Sequence, residues 1–294
     1  MGAVFVTGAT GTVGSAVVEH LLRHGEKVVA GVRNESDRDR LPSHVETRAF
    51  AFTAKRPSAT LFAGADRLFL MRPPAIADVR TFLFPLIDAA REAGLRQIVF
   101  LSLQGVQANR RTPHHAVETY LRDQSAPYTL LRPNFFMQNL STTYAAQIRD
   151  RGEITVPAGR SRTAFIDARD IGRVAAAVFT QPGHLRRAYT LSGEQSLSYR
   201  DVAHIMTEVL GRPITYTRPS EDAYLAALAA QGYPDDYLAV QKMIYRVVRL
   251  NVSAFPNRAI RELTGRPATS FARFVHDHRA TWTPPPGSST SPEN

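Results

Sequence analysis

Short apolar runs alternate with amphipathic segments over the first half of the chain. The runs have the length and the β-branched content of buried strands, and they are "AVFVT" (3–7), "KVVAGVR" (27–33), "RLFLM" (67–71), "QIVFLS" (97–102) and "YTLLRP" (128–133). Apolar positions at helical spacing lie between them, near 13–24, 76–93 and 114–124. Strands that alternate with helices predict right-handed βαβ units. We therefore expect an α/β fold with a doubly wound parallel sheet, covered by helices on both faces.

The pattern changes after residue 150. Short strand candidates such as "ITVPA" (154–158) and "YTLSG" (189–193) mix with helical segments near 170–180, 199–210, 221–231, 235–249 and 270–282. We expect a first domain over residues 1–150, to which some later segments return, and a smaller C-terminal α+β substrate lobe over 151–282. The stretch "TPPPGSSTSPEN" (283–294) is rich in proline and serine, which predicts a disordered tail.

The first strand runs directly into a glycine-rich turn. The stretch "FVTGATGTVG" (5–14) places Gly8, Gly11 and Gly14 three residues apart and then opens a helix. Gly8 would allow a tight turn, Gly11 would let a ligand approach the backbone, and Gly14 would let the helix lie close to the strand. The amides of such a turn and the positive end of the helix dipole favour a pyrophosphate. The context predicts the dinucleotide site of a Rossmann-type fold, with Thr10 and Thr12 adding hydroxyl donors.

The end of the second strand indicates which dinucleotide is preferred. NAD-binding units usually place a carboxylate there for the ribose 2′-hydroxyl, whereas this strand ends in Arg33 and the first carboxylate after the strand begins is Glu35. A guanidinium at this position would hold a 2′-phosphate through charge-assisted hydrogen bonds. We therefore predict NADP(H); the alternative is that Arg33 is a solvated surface arginine. Arg38 and Arg40 either assist Arg33 or belong only to the loop.

Several longer stretches carry a family resemblance. They are "TGATGTVG" with "AGVRN", "LFLMRPPA" (68–75), "VFLSLQGV" (99–106), "HHAVETYLRDQSAPYTLLRPNFFMQN" (114–139), "FIDARDIGRVAAAVF" (165–179) and "YTLSGEQSLSYRDVAHIMTEVLGRPI" (189–214). Together they resemble the NmrA-like atypical short-chain dehydrogenases, a group that includes NADPH–quinone oxidoreductases and triphenylmethane reductases. The resemblance covers nearly the whole chain before the tail, but members of this group act on many substrates and some only sense the cofactor.

The resemblance implies a set of cofactor contacts. They are Thr7, Gly8, Thr10, Gly11, Thr12, Val13, Arg33, Met71, Arg72 and Pro73, with Ser102, Pro133, Asn134 and Phe135 near the nicotinamide; Gly14 completes the glycine turn. Relatives often carry an aspartate near the adenine in the third strand, where this chain reads "FAFT" (50–53). That departure puts an adenine contact at this position in doubt.

The usual acid of short-chain dehydrogenases is absent from the sequence. None of the ten tyrosines is followed by lysine at the fourth position, so no Tyr-x-x-x-Lys pair can donate a proton. His114 and His115 are candidate proton donors because imidazole titrates near neutrality; alternatively, they are polar residues of a first helical turn. Ser102 could orient a substrate oxygen or merely cap the backbone.

The missing acid restricts the chemistry. Hydride addition to a simple ketone creates an alkoxide that needs a proton or an oxyanion site, whereas quinones, iminium ions and dye-like cations accept hydride into a conjugated or cationic system. We predict an NADPH-dependent reductase of an electron-poor conjugated acceptor, with "NFFMQN" (134–139) and residues 221–249 supplying an aromatic pocket or a plain lobe core. The alternative is a regulatory protein that senses NADP(H) without turnover and binds a partner.

Composition narrows the remaining classes of function. The formal charge of +10 comes from scattered residues, mostly arginine, without long basic runs, so we do not expect a nucleic-acid surface. The chain has no cysteine, no histidine spacing typical of a metal site and no apolar stretch long enough for a membrane span. The N-terminus lacks the basic region of a signal peptide. We expect a cytoplasmic protein, monomeric or homodimeric, whose partner is a small conjugated substrate.

Overall fold

The computed structural model describes residues 2–53 and 57–284. From residue 285 onwards, the predicted tail lies outside the described residues. Within them the chain divides into two compact units. The first comprises residues 2–134, 168–192 and 258–268, and the second comprises residues 135–167, 193–257 and 269–284. Residues 135–150 thus belong to the second unit, and two later segments belong to the first.

Strands and helices alternate along the first unit and become shorter in the second. The strands are β1 (Ala3–Val6), β2 (Val28–Val32), β3 (Glu46–Ala49), β4 (Ala65–Met71), β5 (Gln97–Leu101), β6 (Tyr128–Pro133), β7 (Glu153–Ile154), β8 (Arg162–Thr163), β9 (Arg187–Leu191), β10 (Leu197–Ser198) and β11 (Thr215–Tyr216). The α-helices are α1 (Thr12–Arg23), α2 (Val79–Phe82), α3 (Phe84–Glu92), α4 (Pro113–Asp123), α5 (Gln138–Ser141), α6 (Ala145–Arg151), α7 (Ala168–Thr180), α8 (Tyr199–Leu210), α9 (Glu221–Ala230), α10 (Asp235–Arg249), α11 (Ala259–Thr264) and α12 (Phe271–Asp277). Short 3₁₀ helices span Glu35–Arg40, Ala59–Phe62, Val106–Ala108 and Arg279–Trp282.

The first unit is built on a seven-stranded sheet in the order β3-β2-β1-β4-β5-β6-β9. Every neighbouring pair in it is parallel. The chain winds outward in both directions from β1 and β4, which is the Rossmann arrangement, so the predicted doubly wound fold is confirmed. Because all strands run the same way, their carboxyl ends lie along one edge of the sheet, with the switch point between β1 and β4.

Burial explains why the apolar runs become strands. Every residue of β1, β2 and β5 is buried, as expected for a sheet covered on both faces. Phe5, Leu68 and Phe100 belong to one core cluster, which α3 and α4 complete with apolar residues such as Leu86 and Leu121. Helices α1 and α7 pack on each other.

Three elements differ from the sequence prediction. The helix expected over 76–93 is two helices, α2 and α3, which meet at Leu83, and Pro85 lies in the first turn of α3, where a missing amide hydrogen is tolerated. The strand candidate at 189–193 is part of β9, which pairs with β6 in the main sheet rather than in the smaller lobe. The third strand, β3, ends before "FAFT", and Phe50 there packs edge-on against Phe5 with ring centroids 5.8 Å apart.

The second unit has its own core beneath two small sheets. β7 pairs with β11 in parallel, and β8 pairs with β10 antiparallel. Tyr199, Phe271 and Phe274 are buried in the core with Trp282, whose Nε1 donates to the carbonyl of Leu140 at 2.9 Å. Within the described part of the chain, no helix has the length and apolar character needed to cross a membrane.

Candidate functional site

The predicted site residues of the first unit follow the strands at one edge of the sheet. Thr7 comes after β1, Arg33 after β2 and Ser102 after β5, while Met71 and Pro133 are the last residues of β4 and β6. Asn134 ends the first segment of this unit, and the next residue, Phe135, begins the second unit. The roles assigned to these residues stay predictions.

Thr7 links the end of β1 to β4 at this edge of the sheet. Its Oγ1 donates to the Phe69 carbonyl at 3.0 Å and accepts from the Met71 amide at 2.9 Å. The residue is fully buried, so its hydroxyl is used to join β1 to β4. The turn that follows Thr7 is therefore held in place from its first residue. Because the Thr7 hydroxyl is already used, contacts with a ligand would come from the rest of the turn.

The glycines of the turn are required by close backbone approach. Gly8 has φ of +60°, and a Cβ on it would lie 2.3 Å from the Met71 Cε. A Cβ on Gly14 would lie 2.0 Å from the carbonyl oxygen of Gly8, which is far inside van der Waals contact. The helix can begin this near the strand only without side chains at these two positions. The predicted reasons for Gly8 and Gly14 therefore match the geometry.

The turn presents amides that suit an anion. Among the described residues, no hydrogen-bond partner is recorded for the amides of Thr10, Thr12 and Val13. No acidic side chain lies in the first turn of α1. Amides at the positive end of a twelve-residue helix, beside a surface without side chains, fit a dinucleotide pyrophosphate.

Arg40 brings positive charge to this turn from the segment after β2. Arg33 is exposed directly after the strand. Arg40 lies on the 3₁₀ helix Glu35–Arg40, and its Nη2 donates to the Thr10 carbonyl at 2.8 Å while Nη1 lies 3.6 Å from Asp37. Sequence reasoning left the role of Arg40 open because its partner lies thirty residues away. The structure ties Arg40 to the glycine turn.

Arg72 and His114 form a second group at the same edge. The Nη1 of Arg72 donates to the carbonyls of Pro73, Pro74 and Ile76 at 3.0, 3.0 and 2.6 Å and so closes the loop after β4. Its Nε donates to the Nε2 of His114 at 3.4 Å. Burial, and after it the charge on Arg72, lowers the pKa of His114 to about 4. The imidazole is therefore neutral at neutral pH.

His115 contributes to the local fold. Its Nδ1 lies 3.2 Å from the Val106 carbonyl, a contact in which the nitrogen must donate because a carbonyl can only accept. Its amide donates to the Oγ1 of Thr112, which caps α4. The side chain thus fastens the start of α4 to the preceding 3₁₀ turn.

Ser102 is joined to a buried ion pair that the sequence analysis missed. Its Oγ donates to the Oε1 of Glu118 at 2.6 Å. Glu118 also accepts from Nε and Nη2 of Arg132, at 2.9 and 2.6 Å, and from Nη2 of Arg122 at 2.9 Å. Burial opposes the ionisation of Glu118, yet the hydrogen bonds from Arg132 and Ser102 hold its pKa below the ordinary value. The carboxylate is ionised, and it takes the only hydrogen of the Ser102 hydroxyl.

A signal for Glu118 was present in the sequence. Glu118 follows His114 by four residues, which is the spacing of the absent tyrosine–lysine pair and places both side chains on one face of α4. Its neighbours Val117 and Leu121 are buried, so a carboxylate there requires a cation. Arg132 is the only charged residue in the apolar strand β6.

The aromatic residues expected near a substrate lie in the second unit. The hydroxyls of Tyr144 and Tyr245 are 2.5 Å apart, and Tyr224 donates to the Oε1 of Gln241 at 3.1 Å. Tyr224 and Tyr245 are buried in the core. Tyr233 is 42% exposed and stacks on Tyr237. The aromatic pocket expected over 221–249 stays a prediction.

The chain is similar to a known protein family and to two reductases of known name. A profile described as the NmrA-like family matches residues 2–254. The NAD(P)H azoreductase of Xenophilus azovorans is 31% identical over 286 residues, covering 95% of this chain and 99% of the relative. The (4-alkanoyl-5-oxo-2,5-dihydrofuran-3-yl)methyl phosphate reductase of Streptomyces griseus is 31% identical over 290 residues, covering 96% and 99%.

Among solved structures, an NADPH-dependent quinone oxidoreductase from Escherichia coli, complexed with NADPH, superposes with a TM-score of 0.84. It is 25% identical, and the match covers 93% of this chain and 99% of that one. These comparisons confirm the resemblance drawn from the motifs: the chain belongs to the NmrA-like family.

Proposed function

We propose that the chain is an NADPH-dependent reductase that transfers hydride to an electron-poor conjugated acceptor. It is an NAD(P)H-dependent oxidoreductase in fold, family and cofactor turn, and it matches two reductases at 31% identity over almost their whole length. The glycine turn with Arg40 beside it would hold the pyrophosphate, and Arg33 would hold the 2′-phosphate. When bound, the reduced nicotinamide supplies the hydride.

The observation that carries the choice of acceptor is that the polar groups at this edge offer no acidic proton. Ser102 donates its hydrogen to Glu118 at 2.6 Å, and Glu118 is held ionised. His114 is neutral and accepts from Arg72. A developing alkoxide would find no general acid in Ser102, Glu118 or His114. An acceptor that spreads the incoming charge over a conjugated system does not need one.

The relatives' names agree with this chemistry. A quinone and an oxo-dihydrofuran with an alkanoyl substituent place carbonyl groups in a conjugated system, and an azo compound offers an electron-accepting nitrogen–nitrogen double bond. Their shared property is delocalisation of the added electron pair, and solvent can complete the protonation afterwards. We therefore propose that this chain is a reductase of conjugated acceptors, and the acceptor screen below identifies the individual substrate.

A matched acceptor screen tests the proposal. Purified protein is mixed with NADPH and a quinone, an azo dye, a conjugated enone or a saturated ketone of similar size, and loss of reduced nicotinamide absorbance is followed. We expect turnover with one or more conjugated acceptors and at least about a hundredfold lower kcat/KM for the saturated ketone. Comparable turnover of the ketone would contradict the acceptor class, and NADPH binding without any turnover would favour a sensor.

Arg33→Ala is expected to weaken NADPH binding by about a hundredfold and NADH binding by less than about threefold. The reason is that a charge-assisted hydrogen bond contributes about 1.5–3 kcal/mol and only NADPH carries the 2′-phosphate. The measurement is isothermal titration of each nucleotide. Equal weakening for both would show that Arg33 does not read the 2′-phosphate.

Arg40→Ala is expected to weaken both nucleotides, each by about tenfold or more. Its guanidinium is attached to the Thr10 carbonyl, so its charge lies beside the turn that would receive the shared pyrophosphate. Arg38→Ala is the matched control, since Arg38 is exposed on the same 3₁₀ helix and makes no recorded contact with the turn. If Arg38→Ala and Arg40→Ala behave alike, the contact with Thr10 has no role in binding.

The double variant His114→Ala, His115→Ala is expected to retain quinone reduction within about fivefold. A neutral His114 with a pKa of about 4 is not a general acid at neutral pH, and His115 is used on the Val106 carbonyl. Steady-state kinetics with a quinone from pH 6 to 9 provide the measurement, with thermal unfolding as the check on folding. A thousandfold loss of kcat in a folded variant would show that a histidine acid is required.

A further inference from the structure

Helix α10 in the second unit has two apolar faces. One face contributes Tyr245 and Val248 to the core. On the other, Val240, Met243, Val247 and Leu250 are 46%, 50%, 37% and 71% exposed. These four residues, here called the α10 stripe, follow one another at spacings of three, four and three, which is the spacing of a coiled-coil seam.

Beyond the α10 stripe, the next exposed apolar residues belong to a segment whose backbone is held by hydrogen bonds. Val252 and Phe255, which follow the helix, are 51% and 72% exposed. The chain between them is held by the amide of Ala164, which donates to the Ser253 carbonyl at 2.7 Å, and by Ser196, whose hydroxyl donates to the Ala254 carbonyl at 2.6 Å. An ordered apolar surface of this extent is typical of a protein–protein interface.

The charges around the stripe favour a second copy of the same helix. Asp235 and Asp236 are exposed in the first turn of α10, and Arg246 is exposed in its last turn. Two such helices side by side in opposite directions bring the acidic end of each to the basic end of the other. In the same direction they would place like charges together. The opposed helix dipoles favour the same antiparallel arrangement.

We propose that the α10 stripe is the interface of a homodimer in which two copies of α10 pack antiparallel across a two-fold axis. In a two-fold interface the same surface serves both copies, so residues pair reciprocally. Met243 lies near the axis, and Val240 of each copy lies opposite Val247 of the other. Asp236 of each copy lies at the end that carries Arg246 of the other.

The absence of cysteine from the chain allows a direct test. Met243→Cys is expected to give mostly disulfide-linked dimer under mild oxidation, because two Cβ atoms near a two-fold axis are within disulfide reach. Leu185→Cys is the control, since Leu185 is 52% exposed in the other unit. A mixture of Val240→Cys and Val247→Cys proteins is expected to form the mixed dimer in excess over either like pair. An excess of like pairs would overturn the antiparallel orientation.

Sedimentation equilibrium of the full chain tests the interface without a covalent bond. The dimer is expected to dissociate at least about a hundredfold more readily in Met243→Asp, which places two like charges at the axis. Asp236→Arg and Arg246→Asp are each expected to weaken it, and the double variant to restore it. A wild-type monomer at micromolar concentration, or a dimer unaffected by Met243→Asp in a variant with a normal unfolding temperature, would overturn the proposal.

Discussion

Glu118→Ala is expected to destabilise the protein by about 3–5 kcal/mol, because it leaves Arg132 as a charge without its counterion in a largely buried place. The side chain of Glu118 is 1% exposed and that of Arg132 is 12% exposed. The substitution also removes the acceptor of the Ser102 hydroxyl. Urea unfolding of the purified variants measures the loss. Thermal unfolding checks that the transition remains cooperative.

Arg122→Ala is the matched control for the same carboxylate. Arg122 also bonds Glu118, but its side chain is 41% exposed, so its loss should cost less than about 1 kcal/mol. Glu118→Gln keeps the shape and removes the charge. If Glu118→Ala costs no more than Arg122→Ala, then the ion pair with Arg132 does not stabilise the fold as described.

The free energy of unfolding of the same variants is expected to depend on pH in a defined direction. The pKa of Glu118 is lowered in the folded chain, so its contribution is complete above the ordinary carboxyl pKa and is lost as pH falls through the lowered value. The difference in unfolding free energy between wild type and Glu118→Gln should therefore be constant near neutrality and shrink below about pH 4. A difference that grows on acidification would show that the folded-state pKa is raised instead.

Gly14→Ala is expected to reduce NADPH affinity by at least about a hundredfold and to destabilise the fold by about 3 kcal/mol. The added Cβ would lie 2.0 Å from the Gly8 carbonyl oxygen and 2.6 Å from its carbon. Both are backbone atoms of the glycine turn, so the helix or the turn must move. Either movement disturbs the amides that would receive the pyrophosphate. Titration calorimetry and urea unfolding measure the two effects.

Ser15→Ala tests whether the effect belongs to the position. Ser15 is the next residue of α1 and is exposed, and its hydroxyl donates to the nearby Thr12 carbonyl. The Ser15→Ala variant should therefore bind NADPH normally and unfold at about the wild-type urea concentration. Normal affinity in Gly14→Ala would mean that the close approach of helix and turn is not needed for cofactor binding.

The sequence predicted the sheet well where the strands are buried on both faces. Runs such as those of β1 and β2 contain no polar side chain, so they are not confused with loops. The apolar pattern did not indicate β3, which the resemblance placed at 50–53, because β3 is an edge strand with exposed or half-exposed positions. β9 was assigned to the wrong part of the molecule because its pairing with β6 joins residues nearly sixty positions apart, and local pattern does not encode such a pairing.

The candidate site shows the same difference between features set within one short segment of sequence and features set by contacts between distant segments. The glycine turn is readable because its requirements lie within ten residues of chain. The attachment of Arg40 to Thr10 and the cluster of Ser102, Glu118 and Arg132 depend on the approach of separate elements. The sequence left Ser102 either to orient a substrate oxygen or to cap the backbone, whereas in the structure its hydroxyl donates to Glu118.

The seven strands of the main sheet have their carboxyl ends at one edge, and this arrangement has a consequence for the evolution of such a protein. Exposed residues such as Arg33 lie just past the strands, whereas the packed interior is formed by the strands and the helices that cover them. Replacing such an exposed residue should have little effect on the interior. A single scaffold can therefore acquire new preferences by small steps, each of which leaves folding intact.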